Sequence, residues 1–319
     1  MASFEAINYS LRPNKCVERK IIFETLVGLS SSFDFSTYQY LGMGSMWFVD
    51  FVLAHKNLGI EELVSFELEE YSPRALFNRP YKNIQVFPGA AAAGIEVTNW
   101  NKPAIVWLDY DCGPENPAVF EDSASVASKI LPASILMVTV NAHMGRIPTK
   151  DQDGNPLKSR HEGLRQIIGD AAPSEEEFQH INLKNYHNIL ATCLTRHIER
   201  AYRLSGREGK FVSFLNYYYK DNAPMITIGG MFVDERSEAK LNQNKCFANS
   251  EYIGPALYPI QVPPLTHRER ISLDALLPSS EKLKEDDVLK KLGFRLDQSQ
   301  LDDYAKFYKL YPSYGEVVL

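Results

Sequence analysis

The stretch Tyr38–Asp50, YQYLGMGSMWFVD, constrains the fold more than any other part of the chain. An apolar strand, Tyr38-Gln39-Tyr40-Leu41, runs into the glycine turn Gly42-Met43-Gly44-Ser45, and a helix is expected from about Met46 to about Leu58. Glycine serves where a backbone turns sharply or must approach a ligand closely. A helix start beside such a turn presents unpaired N–H groups. The unit is a candidate nucleotide or cofactor cradle, and a plain βα turn is the alternative.

The same pattern then recurs. Leu63-Val64-Ser65-Phe66-Glu67 reads as a second buried strand ending in an acid, 25 positions after Gly42. In doubly wound folds an acid at that point receives ribose hydroxyls. Glu69 and Glu70 follow at once, so an acidic helix start near Tyr71-Ser72-Pro73 competes with that assignment. Ile84-Gln85-Val86-Phe87 is a third strand, closed by Pro88-Gly89-Ala90. The small residues at 89–94 leave room for something flat or permit close packing. Ala104–Leu108 is a continuous apolar run of the kind found in parallel strands covered on both faces. It ends in Asp109-Tyr110-Asp111, which puts two carboxylates where open α/β sheets bind ligands. Turn chemistry is the competing explanation for that acid pair. After a helix over Pro117–Ile130, a fifth strand, Ile135–Val140, ends in Asn141-Ala142-His143. His143 is a candidate general base or a structural histidine.

Around these units lie less regular parts. Residues 1–12 read as an irregular arm, and a helix is expected from Pro13, with Val17, Ile21, Ile22, Leu26 and Leu29 on its apolar side. Arg12, Lys15, Glu18, Arg19 and Lys20 are assigned to its polar side, as a solvated face or as a basic surface before the glycine turn. Residues 145–169 read as an insertion or mobile lid carrying Arg146, Lys150, Lys158, Arg160, His161 and Arg165. A helix over about Lys184–Leu204 follows, with His180, His187 and His197 read as structural. Phe211–Tyr219 and Met225–Val233 form a hairpin across a short loop, so the sheet finishes with an antiparallel strand. Residues 235–319 are a loop-rich linker and a small helical appendage, in which Thr266-His267-Arg268-Glu269 has capping-box spacing.

Composition narrows the function classes. The net charge of −6 argues against attachment to nucleic acid by overall charge, leaving a local basic rim as the route to RNA and making DNA a poorer candidate. Cys16, Cys112, Cys193 and Cys246 are scattered without ligand spacing, so no structural zinc is expected and a cytoplasmic location fits. No apolar signal core or membrane-length run is present.

Five β/α units followed by a hairpin resemble the class I S-adenosylmethionine-dependent methyltransferases. The resemblance covers about Tyr38 to Val233, and the chain is also similar to bacterial proteins described as "putative O-methyltransferases". It implies a Rossmann-like α/β domain over 37–234, with a seven-stranded, mostly parallel sheet whose last strand is antiparallel. It implies that Gly42, Gly44 and Ser45 approach the methionine part of S-adenosylmethionine and that Glu67 binds the ribose. Gly89 and Ala90, with Pro88, would flank the adenine, and Asp109 to Asp111 would face the methyl group and its acceptor. Two departures stand out: Tyr40-Leu41 replace the usual acid before the turn, and the turn is GxGS.

The expected reaction is methyl transfer to an O or N nucleophile of unknown substrate. Asp109 or Asp111 would fix the acceptor, and Asp109 or His143 would take its proton. A divalent metal on Asp109, Asp111 and Asn141 is a further option. The Asp/Asn-Pro-Pro-aromatic motif of base amino-methyltransferases is absent. The rival reading is a catalytically degenerate nucleotide-binding or scaffold module that meets a partner protein through its C-terminal helices. An NAD oxidoreductase is disfavoured because Trp47 stands where the third glycine of GxGxxG belongs.

Overall fold

The computed structural model describes residues 12–151, 153–179 and 185–313. The arm expected over 1–12 falls, Arg12 apart, outside them, as do His180 and Lys184.

Helix α1 (Pro13–Leu29) precedes the sheet. Strands β1 (Gln39–Gly42), β2 (Glu62–Glu67), β3 (Ile84–Pro88), β4 (Ala104–Asp109) and β5 (Ile135–Asn141) are parallel, in the order β3-β2-β1-β4-β5. Helices α2 (Val49–Leu58), α3 (Ser72–Asn78), α4 (Ala91–Val97) and α5 (Ala118–Lys129) connect them. Strand alternation sends Ile105 and Trp107 into one core and Val106 and Leu108 into another. The first core holds α1 and α2; the second holds α5 and, further along, α6 (Arg160–Ile168), α7 (Glu175–Gln179) and α8 (Tyr186–Leu204). Continuous apolar strands follow from that double coverage. This is a Rossmann-like α/β fold, and its strand order reverses at β1, where ligand crevices form.

The sheet has nine strands rather than the expected seven, for two physical reasons. The run read as one strand, Phe211–Tyr219, is β6 (Lys210–Ser213) and β7 (Tyr217–Lys220), both antiparallel to β8 (Pro224–Val233). Between them the amides of Phe214 and Leu215 both donate to Gly229 O, at 3.0 and 2.9 Å, so two residues oppose one in a β-bulge. Gly230 permits the close approach of β6 beside the bulge, since a Cβ there would stand 2.1 Å from Val212 O. The second addition is β9 (Tyr258–Ile260), a parallel edge strand on β7 drawn from the loop-rich linker. As expected, β8 runs antiparallel to β5.

The stretch read as an insertion or lid carries α6, whose Leu164 and Ile168 enter the second core. His187 stacks on Tyr218 at 4.2 Å and His197 meets Phe120 O at 2.9 Å, both packing roles. After β8 come α9 (Glu235–Gln243), α10 (Lys245–Asn249), α11 (His267–Asp274), α12 (Glu285–Leu292) and α13 (Gln298–Phe307). The last three share a small core around Leu273, Val288, Leu301 and Tyr304, while Phe307 joins the first core. Among the described residues no helix is long and apolar enough to cross a membrane.

Candidate active site

The glycine turn and the acid of β2 are one hydrogen-bonded unit. Gly44 N donates to Ser65 Oγ at 2.9 Å, and Ser65 Oγ donates to Glu67 Oε1 at 2.8 Å. Ser45 N donates to the same Oε1 at 2.8 Å. A Cβ on Gly44 would lie 2.6 Å from the Phe48 ring and 2.9 Å from Ser65 Oγ, so the turn closes only on glycine. Ser45 and Phe48 hold φ of 54° and 49°. That left-handed pair delays α2 to Val49, against the start expected near Met46. Each such residue costs about 1–3 kcal/mol, and strain of this kind concentrates at functional sites. Ser45 Oγ is buried with no hydrogen-bond partner among the described residues. Glu67 is 7% exposed. Burial pushes its carboxyl pKa up, against the pull of the Ser65 hydroxyl and the Ser45 N–H.

The unit faces a cavity of about 460 Å³ at the carboxyl ends of the parallel strands. Gly44, Ser45, Glu67, Asp109 and Asp111 all line it. Gly42, Gly89, Ala90 and His143 do not. Gly42 is the last residue of β1, and a Cβ there would press on Trp107 O at 3.2 Å and Tyr40 Cε1 at 3.3 Å. Gly89 N donates to Glu67 O at 2.8 Å, which sets Gly89 and the exposed Ala90 beside the end of β2, outside the cavity. The small residues after it serve close packing at Gly94, where a Cβ would strike the Phe66 ring at 2.3 Å. His143 is exposed, and its Nδ1 accepts from Gly145 N at 3.1 Å to cap a short turn.

Further residues of the cavity come from α1, whose charged side the sequence left open as a solvated face or a basic surface before the glycine turn, and from Asp50, which sequence reasoning missed. The charged side of α1 is not a solvated face. Lys15 is 2% exposed, Glu18 0% and Arg19 8%, and all three are turned against the strand ends. Lys15 Nζ lies 2.9 Å from Glu18 Oε2 and 3.0 Å from Asp109 Oδ1, above the Trp107 ring at 4.6 Å. Thr227 Oγ1 donates to Glu18 Oε1, and Trp107 Nε1 donates to Thr139 Oγ1, which touches Thr227 Oγ1. Burial pushes the Glu18 carboxyl upward, and the Lys15 charge opposes that shift. Asp221, in the β7–β8 loop, caps the helix from outside, accepting from Asn14 N and Lys15 N at 3.1 Å each. A usable signal existed: Glu18 stands four residues before Ile22, and Lys15 seven before it. The charges therefore share the apolar face rather than oppose it.

The metal option fails on this geometry. The Lys15 ammonium already holds Asp109 Oδ1, and Asn141 Oδ1 accepts from His143 N at 2.9 Å. Among the described residues no cluster of three or more His, Cys, Asp or Glu is arranged to hold a metal ion.

A family model described as "Putative O-methyltransferase" matches residues 7–319. No curated protein matches the chain. Among solved structures, the chain is similar to the O-methyltransferase TomG from Streptomyces achromogenes in complex with SAM. Identity is 12%, 71% of this chain and 91% of that chain are covered, and the TM-score is 0.36. It is similar to an O-methyltransferase from Bacillus cereus in complex with SAH at 13% identity, with 65% and 79% covered and a TM-score of 0.34. It is similar to the fibrillarin pre-rRNA processing protein of Methanococcus jannaschii at 9% identity, with 62% and 67% covered and a TM-score of 0.33. The chain spans 55% of the length of another neighbour, the methyltransferase SibL.

Proposed function

The chain belongs to the family described as "Putative O-methyltransferase", and on that premise we propose that it is an S-adenosylmethionine-dependent methyltransferase whose cofactor occupies the cavity beside the glycine turn. The observation that carries the assignment of the site is the single network joining Gly44, Ser45, Ser65 and Glu67 at the cavity wall. The residues fit the cofactor by two further features. Gly44 lines the cavity with bare backbone, since Phe48 and Ser65 leave no room for a side chain, and Ser45 Oγ is buried without a partner among the described residues.

The cofactor supplies an already activated methyl group on a sulfonium, so the protein has chiefly to orient and to move one proton. Gly44 and Ser45 hold the methionine part. Glu67, pinned through Oε1, turns its carboxylate to the ribose hydroxyls. Gly89 and Ala90 lie beside the end of β2 and outside the cavity lining, so they would meet the adenine only where it extends past Glu67. Asp109 is held by Lys15 and positions the acceptor. Asp111, exposed at the cavity mouth, takes the acceptor's hydroxyl proton on a carboxylate oxygen. His143 has no part in this arrangement, because it lies outside the cavity lining. A reducing, cytoplasmic setting is supported by four free cysteines. The acceptor is an oxygen nucleophile; an RNA acceptor reached through a basic rim, or a protein partner on the C-terminal helices, is an outcome the acceptor screen would reveal.

The test is S-adenosylhomocysteine release from a panel of hydroxyl acceptors. Asp111→Asn is expected to lower kcat by about 10²–10⁴ with cofactor affinity unchanged. No release with any acceptor would move the assignment to a degenerate binding module.

A further inference from the structure

We propose that Arg19 and Asp50 form a receptor for the amino-acid end of the cofactor, Arg19 taking its α-carboxylate and Asp50 its α-ammonium. The inference rests on the cofactor reading above and deepens it, because it makes α1 a wall of that site.

Both side chains line the cavity, from elements on opposite sides of the glycine turn. Arg19 sits one helical turn beyond Lys15 on α1, and Asp50 lies in the first turn of α2. Arg19 is 8% exposed, and its Nε has no hydrogen-bond partner among the described residues. A guanidinium carries five donors in a planar fork that matches a carboxylate. Burying such a group with donors unmet is costly, and a bound carboxylate would meet them. Arg19 acts electrostatically on Asp50, whereas the other cations of the cavity are engaged elsewhere. Lys15 is held between Glu18 and Asp109, Arg146 lies 2.9 Å from Glu115, and Arg12 also has a partner.

Asp50 supplies the complementary charge. Its Oδ2 accepts from Tyr40 Oη at 2.7 Å, which fixes the carboxylate's direction. The same oxygen lies 3.6 Å from where a Cβ on Gly42 would stand, so the acid is tucked against the end of β1. Tyr40 and Leu41 precede the turn, and neither is an acid. The carboxylate at this point comes instead from the helix after the turn. Burial pushes the Asp50 carboxyl pKa up, and the nearby Arg19 charge pulls it back, so the two side chains lie in each other's field at the cavity lining. A cation and an anion so paired complement a free amino acid, which carries both charges.

Two ligands separate this claim from the cofactor reading. S-adenosylhomocysteine has the amino-acid end and 5′-methylthioadenosine lacks it, while both keep the nucleoside. Calorimetric titration of the full chain should show S-adenosylhomocysteine binding at least about 100-fold more tightly. Arg19→Gln should weaken S-adenosylhomocysteine by about 10- to 100-fold and leave 5′-methylthioadenosine unchanged. Asp50→Asn, which keeps an acceptor for Tyr40, should show the same selective loss and serves if Arg19→Gln does not fold. Equal wild-type affinity for the two ligands, or variants that weaken both equally, would overturn the receptor and leave the cofactor site standing. A folded wild type that binds neither ligand would overturn both.

Discussion

Replacing Lys15 with methionine tests the buried charge network most severely. The ammonium contacts Glu18 Oε2 at 2.9 Å and Asp109 Oδ1 at 3.0 Å. At an effective dielectric of about 20, each contact corresponds to about 5–6 kcal/mol of Coulomb attraction. The Asp109 contact counts for less, because that carboxylate is 29% exposed. Desolvating the ammonium and Glu18 costs several kcal/mol each, so the intact pair comes out near balance. Removing the ammonium alone is different: Glu18 then stays buried with Thr227 as its remaining hydrogen-bond partner and the Asp109 carboxylate repelling it. The expected loss is about 3–5 kcal/mol. The pH dependence has a definite sign. Burial raises the folded pKa of Glu18 above the unfolded value, so the folded state binds its proton more tightly. That stability is fully present below the unfolded value and is lost as pH rises through the folded one. Without Lys15, whose attraction lowers the folded pKa, the window extends upward. Lys15→Met should therefore be most destabilised near pH 8 and recover partly near pH 5.5. Urea unfolding at both pH values, followed by tryptophan fluorescence, reads this out, since Trp107 lies beneath the ammonium. Adding Glu18→Gln should restore most of the loss at pH 8. A single variant within about 1 kcal/mol of wild type at pH 8, or one equally destabilised at both pH values, would refute the reasoning.

Asp221→Ala removes the external cap of α1 and should cost about 1–2 kcal/mol in chemical denaturation, with Asp221→Asn losing less. Gly44→Ala would place a Cβ 2.6 Å from the Phe48 ring, so S-adenosylhomocysteine binding should be lost in calorimetry while circular dichroism still reports a folded chain.

The parallel half of the sheet was readable because double coverage makes its strands short, continuous apolar runs such as Ala104–Leu108, closed by polar residues at one edge. The capping box at Thr266 and Glu269 was readable because its bonds are local. The bulge was not: Phe214 and Leu215 look like strand residues until Gly229 is placed opposite both. Nor was the burial of Lys15 and Glu18, since their partners Asp109 and Thr227 lie 94 and 209 positions away. Among the candidate site residues, those expected at strand ends that line the cavity are Gly44, Ser45, Glu67, Asp109 and Asp111. The same reasoning could not tell that His143 turns back to cap its own loop.

The most direct test of the central claim is calorimetric titration of S-adenosylhomocysteine into the wild type and Glu67→Gln. Saturable one-site binding, weakened by about 10- to 100-fold in the variant, is the predicted result. A folded wild type that gives no binding, or a variant that binds as tightly as the wild type, would contradict it.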